Sequence, residues 1–203
     1  YIARAGWTND ANTAWIQRVN RHQNKVELLF INAISITTRV VLTETSEQWV
    51  DIHDDLTFLA DGDHFVWSSE RSGYNHLYLY RMNGELVRPL TEGNYEVTNF
   101  YGLDEKNQRI FYATAYPTPM ERTVYSRAVS GGDALKLSPN RGKNSANFSA
   151  DFSHYLLYHT DANSPQTVTL HASAGKQLRL LQDNAELKKT LAAYNLSPKE
   201  FIE

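Results

Sequence analysis

The sequence predicts an all-β fold: a β-propeller fragment of about four four-stranded antiparallel blades, followed by a short C-terminal helix. Three observations carry that prediction. A set of apolar segments recurs at intervals of 44 to 51 residues. The segments are rich in Val, Ile, Leu, Tyr, Phe and Trp, the residues that fit a pleated sheet. Several are apolar at both parities, as in Leu77-Tyr78-Leu79-Tyr80, which suits a sheet covered on both faces rather than one with a wet side.

Each unit opens on one segment: Ala14-Trp-Ile-Gln-Arg-Val, Phe65-Val-Trp-Ser-Ser-Glu, Ile110-Phe-Tyr-Ala-Thr-Ala and Tyr155-Leu-Leu-Tyr-His-Thr. A second follows, beginning at Val26, His76, Thr123 and Val168, and a third closes on Leu42-Thr43, Leu90-Thr91, Leu137-Ser138 and Leu181-Gln182. Turn-forming residues precede the opening segments at Asn9-Asp10, Asp61-Gly62-Asp63, Asp104 to Asn107 and Ala150-Asp151. A fourth strand comes from Tyr1 to Trp7, Leu56 to Leu59, Thr98 to Leu103 and Ala146 to Ser149. The blades therefore occupy residues 1–183. In 184–203 the repeat stops: Asn184 is placed to cap a helix carrying Leu187, Leu191 and Tyr194 on one face, and Pro198 lies past its end. A helix this short needs a partner surface for its apolar stripe, supplied by the blades or by a further domain.

Composition narrows the function. The 203 residues carry 20 Lys and Arg against 23 Asp and Glu, a net charge of -3, which offers no broad electrostatic grip on nucleic acid. No apolar run approaches the roughly 18 residues of a membrane span. With no cysteine there is no disulfide, thiolate metal site or Cys nucleophile. The chain opens on Tyr1-Ile-Ala-Arg-Ala-Gly, without initiator Met, basic leader or apolar h-region, and so reads as part of something longer.

The chemistry-bearing residues form no catalytic pattern. Gly-x-Ser-x-Gly is absent, and Ser130-Gly131-Gly132 reads as a tight hairpin turn. The histidines at 22, 53, 64, 76, 154, 159 and 171 never stand at i, i+4, so they read as satisfied or solvated, with His76 and His171 serving inside blade strands. Asp51, Asp54, Asp55, Asp61 and Asp63 lack the ligand order of a calcium loop and read as solvated turns. No metal or other cofactor is expected. The polar hairpin Ser68 to Asn75 suits a plain turn better than a binding loop, and the aromatic 12% reads as core.

Several stretches resemble the propeller portion of the dipeptidyl peptidase IV branch of the prolyl oligopeptidase serine peptidases. They are Val19 to Asn24, Trp49-Val50 with His53-Asp54-Asp55, Phe65-Val-Trp-Ser-Ser-Glu-Arg-Ser-Gly-Tyr-Asn-His-Leu-Tyr-Leu-Tyr80, Leu90 to Val97 and Leu180 to Leu187. The resemblance implies an eight-bladed propeller capping an α/β-hydrolase domain of the same polypeptide, which removes N-terminal dipeptides from peptides after Pro or Ala. The hydrolase domain would supply Ser, Asp and His, so this chain carries no catalytic residue. The family's Asp-Trp-x-Tyr-Glu-Glu-like clamp for the substrate amino group has no match here. Some relatives place a loop near Trp49 to His53 against the substrate cavity, which nominates Asp51 and His53; an Arg used there by some members is missing.

The expected function is thus the non-catalytic propeller of a serine exopeptidase, walling off the active site so that only small peptides enter. By the same resemblance the parent would be periplasmic or at the cell surface, and a homodimer through parts outside this chain. A second reading is a TolB-like binding or scaffold propeller, whose repeat Asp61-Gly-Asp-His-Phe-Val-Trp with Leu-Tyr-Leu-Tyr also resembles.

Overall fold

The computed structural model describes residues 1–139, 141–194 and 196–201, and among them four four-stranded antiparallel sheets stand where the repeat places them. The first blade comprises β1 (Ile2–Trp7), β2 (Thr13–Val19), β3 (Lys25–Asn32) and β4 (Thr38–Thr45). The second comprises β5 (Thr57–Phe58), β6 (His64–Ser69), β7 (His76–Arg81) and β8 (Leu86–Pro89). The third runs β9 (Val97–Asp104), β10 (Arg109–Thr114), β11 (Thr123–Ala128) and β12 (Leu135–Lys136). The fourth runs β13 (Lys143–Phe148), β14 (His154–Thr160), β15 (Thr167–Ala172) and β16 (Gln177–Gln182). Every blade is a meander in which sequence neighbours pair. The fold is an all-β propeller fragment, as the repeat predicts.

The chain forms two compact units, Tyr1–Gly93 and Asn94–Glu203, each holding two blades. In the first, the faces of blades one and two meet over a core of Val19, Val26, Leu28, Phe30, Phe65, Trp67, Tyr78 and Tyr80. Phe65 and Tyr80 stack with ring centres 5.4 Å apart, and Phe58 leans on Phe30 and Phe65. Strand pairing explains the set: Val19 lies opposite Val26 and Trp15 opposite Phe30, so one parity of two strands enters one core. Five of six residues are buried in both β6 and β7, in keeping with their lack of a polar parity.

In the second unit, Phe111, Ala113, Val124, Leu137, Tyr155 and Leu157 form the core. Phe152, in the turn before β14, stacks on Phe111 at 5.2 Å and reaches Gly102, where a Cβ would lie 2.6 Å from its ring. Burying a ring such as Phe65 or Phe111 contributes about 1.5–3 kcal/mol, so each core rests on a few aromatic side chains.

The closing Leu-Thr and Leu-Ser pairs have one structural job in blades two and three. Leu90 N–H donates to Leu77 O at 2.7 Å, and Thr91 Oγ1 accepts Leu77 N–H at 3.0 Å. Leu137 N–H donates to Val124 O, and Ser138 Oγ accepts Val124 N–H at 2.9 Å. A buried leucine and a hydroxyl thus extend the ladder past the end of the outer strand. In blade four, Leu181 is about half exposed at the rim and the pattern is not repeated.

One helix follows the blades, α1 (Ala185–Ala192), and its start corrects the expectation for Asn184. Asn184 is in the left-handed region, φ 53, and makes no capping bond; its amide instead donates to Gln166 O. Asp183 Oδ1 accepts the Ala185 N–H at 2.9 Å and takes over that role. No residue of α1 is buried, and Tyr194 falls beyond it. Leu187 and Leu191 line an open groove with Ala162 and Pro165, and Asn163 straps the chain down by exchanging two hydrogen bonds with the Lys199 backbone. Asn195, Ile202 and Glu203 of the predicted 184–203 segment lie outside the described residues. Among the described residues no helix is long and apolar enough to cross a membrane.

Candidate functional site

The loop joining β4 to β5 is held by backbone bonds to the β2–β3 turn. Ser46 N–H donates to Asn24 O at 3.0 Å and Val50 N–H to Gln23 O at 2.9 Å. Ser46 Oγ accepts the Gln48 and Trp49 amides, which fixes the entry to the loop. The loop then runs between the core and a cavity. Val50 and Ile52 pack on the first unit's core, and Trp49, Asp51 and His53 line, with Val50, a cavity of about 480 Å³.

Both nominated residues, Asp51 and His53, therefore stand on one cavity wall. Asp51 is exposed and accepts a long bond from Trp49 Nε1 at 3.3 Å. His53 keeps Nε2 away from solvent without a protein partner. The neighbouring acids are engaged elsewhere: Asp54 pairs with Arg4, Asp55 accepts Ser68 Oγ at 2.6 Å, and Asp61 accepts the Asp63 and His64 amides of its own turn. Arg4 holds the Asp54 carboxyl below its ordinary pKa, chiefly through their hydrogen bond. Among the described residues no group of three or more His, Cys, Asp or Glu is arranged to hold a metal ion.

The rest of the lining comes from the β6–β7 hairpin and β4, which sequence reasoning treated as a turn and a strand. Arg71 Nη2 meets Glu44 Oε1 at 2.5 Å, and Arg71 Nε donates to Ser69 Oγ at 3.0 Å. The guanidinium carbon lies 4.8 Å from the Tyr78 ring centre and 5.5 Å from that of Tyr80. Glu44 also accepts Trp67 Nε1–H at 3.1 Å. Burial works to lower the Arg71 pKa, but the bond to Glu44 and the nearby Tyr80 outweigh it and leave it raised. Glu70 is exposed beside this pair. The signal that could have found Arg71 was the unusual length of the polar stretch Ser68 to Asn75, whose turn closes on Gly73 N–H to Glu70 O at 2.8 Å.

Two of the remaining histidines are explained without a ligand. His76 is buried between Thr91 Oγ1 and Gly93 O, each 3.0 Å away. His171 stacks on Tyr155 at 4.9 Å and meets Thr169 Oγ1. These are strand positions, as expected from the sequence.

Comparison with known proteins gives a consistent picture. The family model for the dipeptidyl peptidase IV N-terminal region matches residues 1–166. A probable dipeptidyl peptidase 4 of Aspergillus flavus is 26% identical over 212 residues, covering all of this chain and 28% of that protein. A probable dipeptidyl peptidase 4 of Emericella nidulans is 25% identical with the same coverage. The crystal structure of Porphyromonas gingivalis dipeptidyl peptidase 4 superposes with a TM-score of 0.93 at 35% identity, covering the whole chain and 29% of that structure. The chain thus spans little more than a quarter of the length of these relatives.

Proposed function

We propose that this chain, which belongs to the dipeptidyl peptidase IV N-terminal region family, forms propeller blades that wall the substrate chamber of a serine exopeptidase. The parent polypeptide would release N-terminal dipeptides after Pro or Ala, with its nucleophile, acid and base on a hydrolase domain reached through residues 184–203. The blades exclude large substrates, and Trp49, Asp51 and His53 bind the peptide. The parent acts outside the cytoplasm, in the periplasm or at the cell surface, and assembles as a homodimer.

The observation that carries this reading is the cavity beside the β4–β5 loop. It brings together the two residues nominated for peptide contact. The family match favours this reading over a binding propeller without peptidase activity.

The full-length gene product should hydrolyse chromogenic dipeptides ending in Pro or Ala and should be blocked by a serine-directed inhibitor. His53→Ala should raise KM about tenfold, equivalent to about 1.4 kcal/mol of lost binding, with kcat less affected. A folded full-length product that releases no dipeptide from either substrate would refute the proposal.

A further inference from the structure

We infer that the cavity beside the β4–β5 loop takes a positively charged side chain, and that the peptide's first residue supplies it. The inference rests on the exopeptidase reading, in which the second residue is Pro or Ala, so that within the released dipeptide only the first side chain can carry charge.

The lining carries Glu44, Asp51 and Glu70 against one permanent cation, Arg71. That cation is already committed: Glu44 neutralises it at 2.5 Å, Ser69 accepts from it, and two tyrosine rings lie against it. What remains for a ligand is the pair of exposed carboxylates in the lining, Asp51 and Glu70. Two further features suit a cation. Trp49, 58% exposed, offers an indole face to an ammonium or guanidinium. His53 Nε2, out of solvent and unpartnered, is an acceptor when the ring is protonated on Nδ1. A carboxylate side chain would meet two like charges here and no free donor of opposite sign. An apolar side chain would gain nothing from either carboxylate.

The test uses the full-length polypeptide and two chromogenic substrates, Lys-Pro and norleucine-Pro, which differ only in the terminal ammonium. The expected result is kcat/KM about tenfold higher for Lys-Pro at low ionic strength, shrinking as salt screens the interaction. Glu70→Gln should lower that ratio several-fold, and Glu70→Lys should bring it below one while raising the ratio of Glu-Pro to Gln-Pro. Glu70 lies in an exposed turn, and each ratio is taken within one protein, so partial loss of folded enzyme does not alter it. Turnover of both substrates with a ratio near one, or a ratio that Glu70→Lys leaves unchanged, overturns this inference alone. Turnover of neither overturns the exopeptidase reading and this inference with it.

Discussion

Arg71, in the β6–β7 hairpin of the second blade, is bonded to Glu44, in β4 of the first, and the carboxylate that receives it also receives the indole N–H of Trp67. The pair joins the two blades of the first unit at the edge of the cavity. The Glu44 side chain is 12% exposed, so its removal leaves a guanidinium and an indole N–H short of an acceptor. Glu44→Ala should cost about 1–3 kcal/mol, and Glu44→Gln less because the amide oxygen still serves Trp67. Chemical denaturation of the two variants beside Arg71→Ala and the double variant would yield the coupling, expected at about 1 kcal/mol or more.

A second junction of the same blades depends on the absence of a side chain. Gly84, in the β7–β8 turn, has φ 93, and a Cβ there would run into the Val41 carbonyl oxygen of β4. Gly84→Ala therefore combines a left-handed backbone with a backbone clash, and the turn must move away from β4. The loss should be about 2–4 kcal/mol, against about 1 kcal/mol for an alanine at Gly62, where φ is 73 and nothing lies near. Thermal melts of the two variants compare strain plus clash with strain alone.

These contacts show why the fold was legible in the sequence and half of the cavity was not. Blade strands announce themselves through residues that repeat, such as Phe65 to Glu70 against Ile110 to Ala115, because each copy meets the same demand for two covered faces. The closing Leu90-Thr91 and Leu137-Ser138 pairs recur for the same reason, each hydroxyl completing a ladder. Asp51 and His53 were visible through resemblance, and the loop that carries both lines the cavity. Arg71 and Glu44 were not visible. Their partnership spans 27 residues and occurs once, so no period marks it. The Asn184 cap failed on a local competition: its amide finds the Gln166 carbonyl, and the carboxylate one residue earlier satisfies the helix.

The repeated hydroxyl makes a paired prediction. Thr91→Val and Ser138→Ala each strip the acceptor from a buried strand amide, Leu77 N–H in one blade and Val124 N–H in the other. Each should cost about 1–3 kcal/mol, the range for a buried amide left unpaired. Amide hydrogen exchange would read the effect locally: Leu77 should lose protection in the first variant and Val124 in the second. Exchange that stayed slow at both amides would mean the hydroxyls are dispensable.

His76 adds a pH dependence to the same network. Leu77 N–H donates to Thr91 Oγ1, so the Thr91 hydroxyl proton is free to go to His76 Nδ1, and Nε2–H then donates to Gly93 O. That chain of donors needs a neutral ring; with a proton on Nδ1 the Thr91 hydroxyl would have to turn its own proton away and accept from the ring as well as from Leu77 N–H. Burial lowers the His76 pKa below its ordinary value of 6.5, outweighing the opposing pull of the Gly93 carbonyl and the Glu92 charge. The sign follows from linkage. With the folded-state pKa depressed, the unfolded chain binds the extra proton first, so stability is full above about pH 6.5 and declines as pH falls below it, levelling off under the folded value. His76→Asn should be less stable than the parent at pH 8, where its hydrogen bonds are poorer, and should lose less on going to pH 5.5. Melting temperatures of both proteins at these two pH values suffice, since the two proteins differ only at residue 76. Parallel curves would mean that the ring accepts its second proton in place, and that the Thr91 hydroxyl turns to accommodate it.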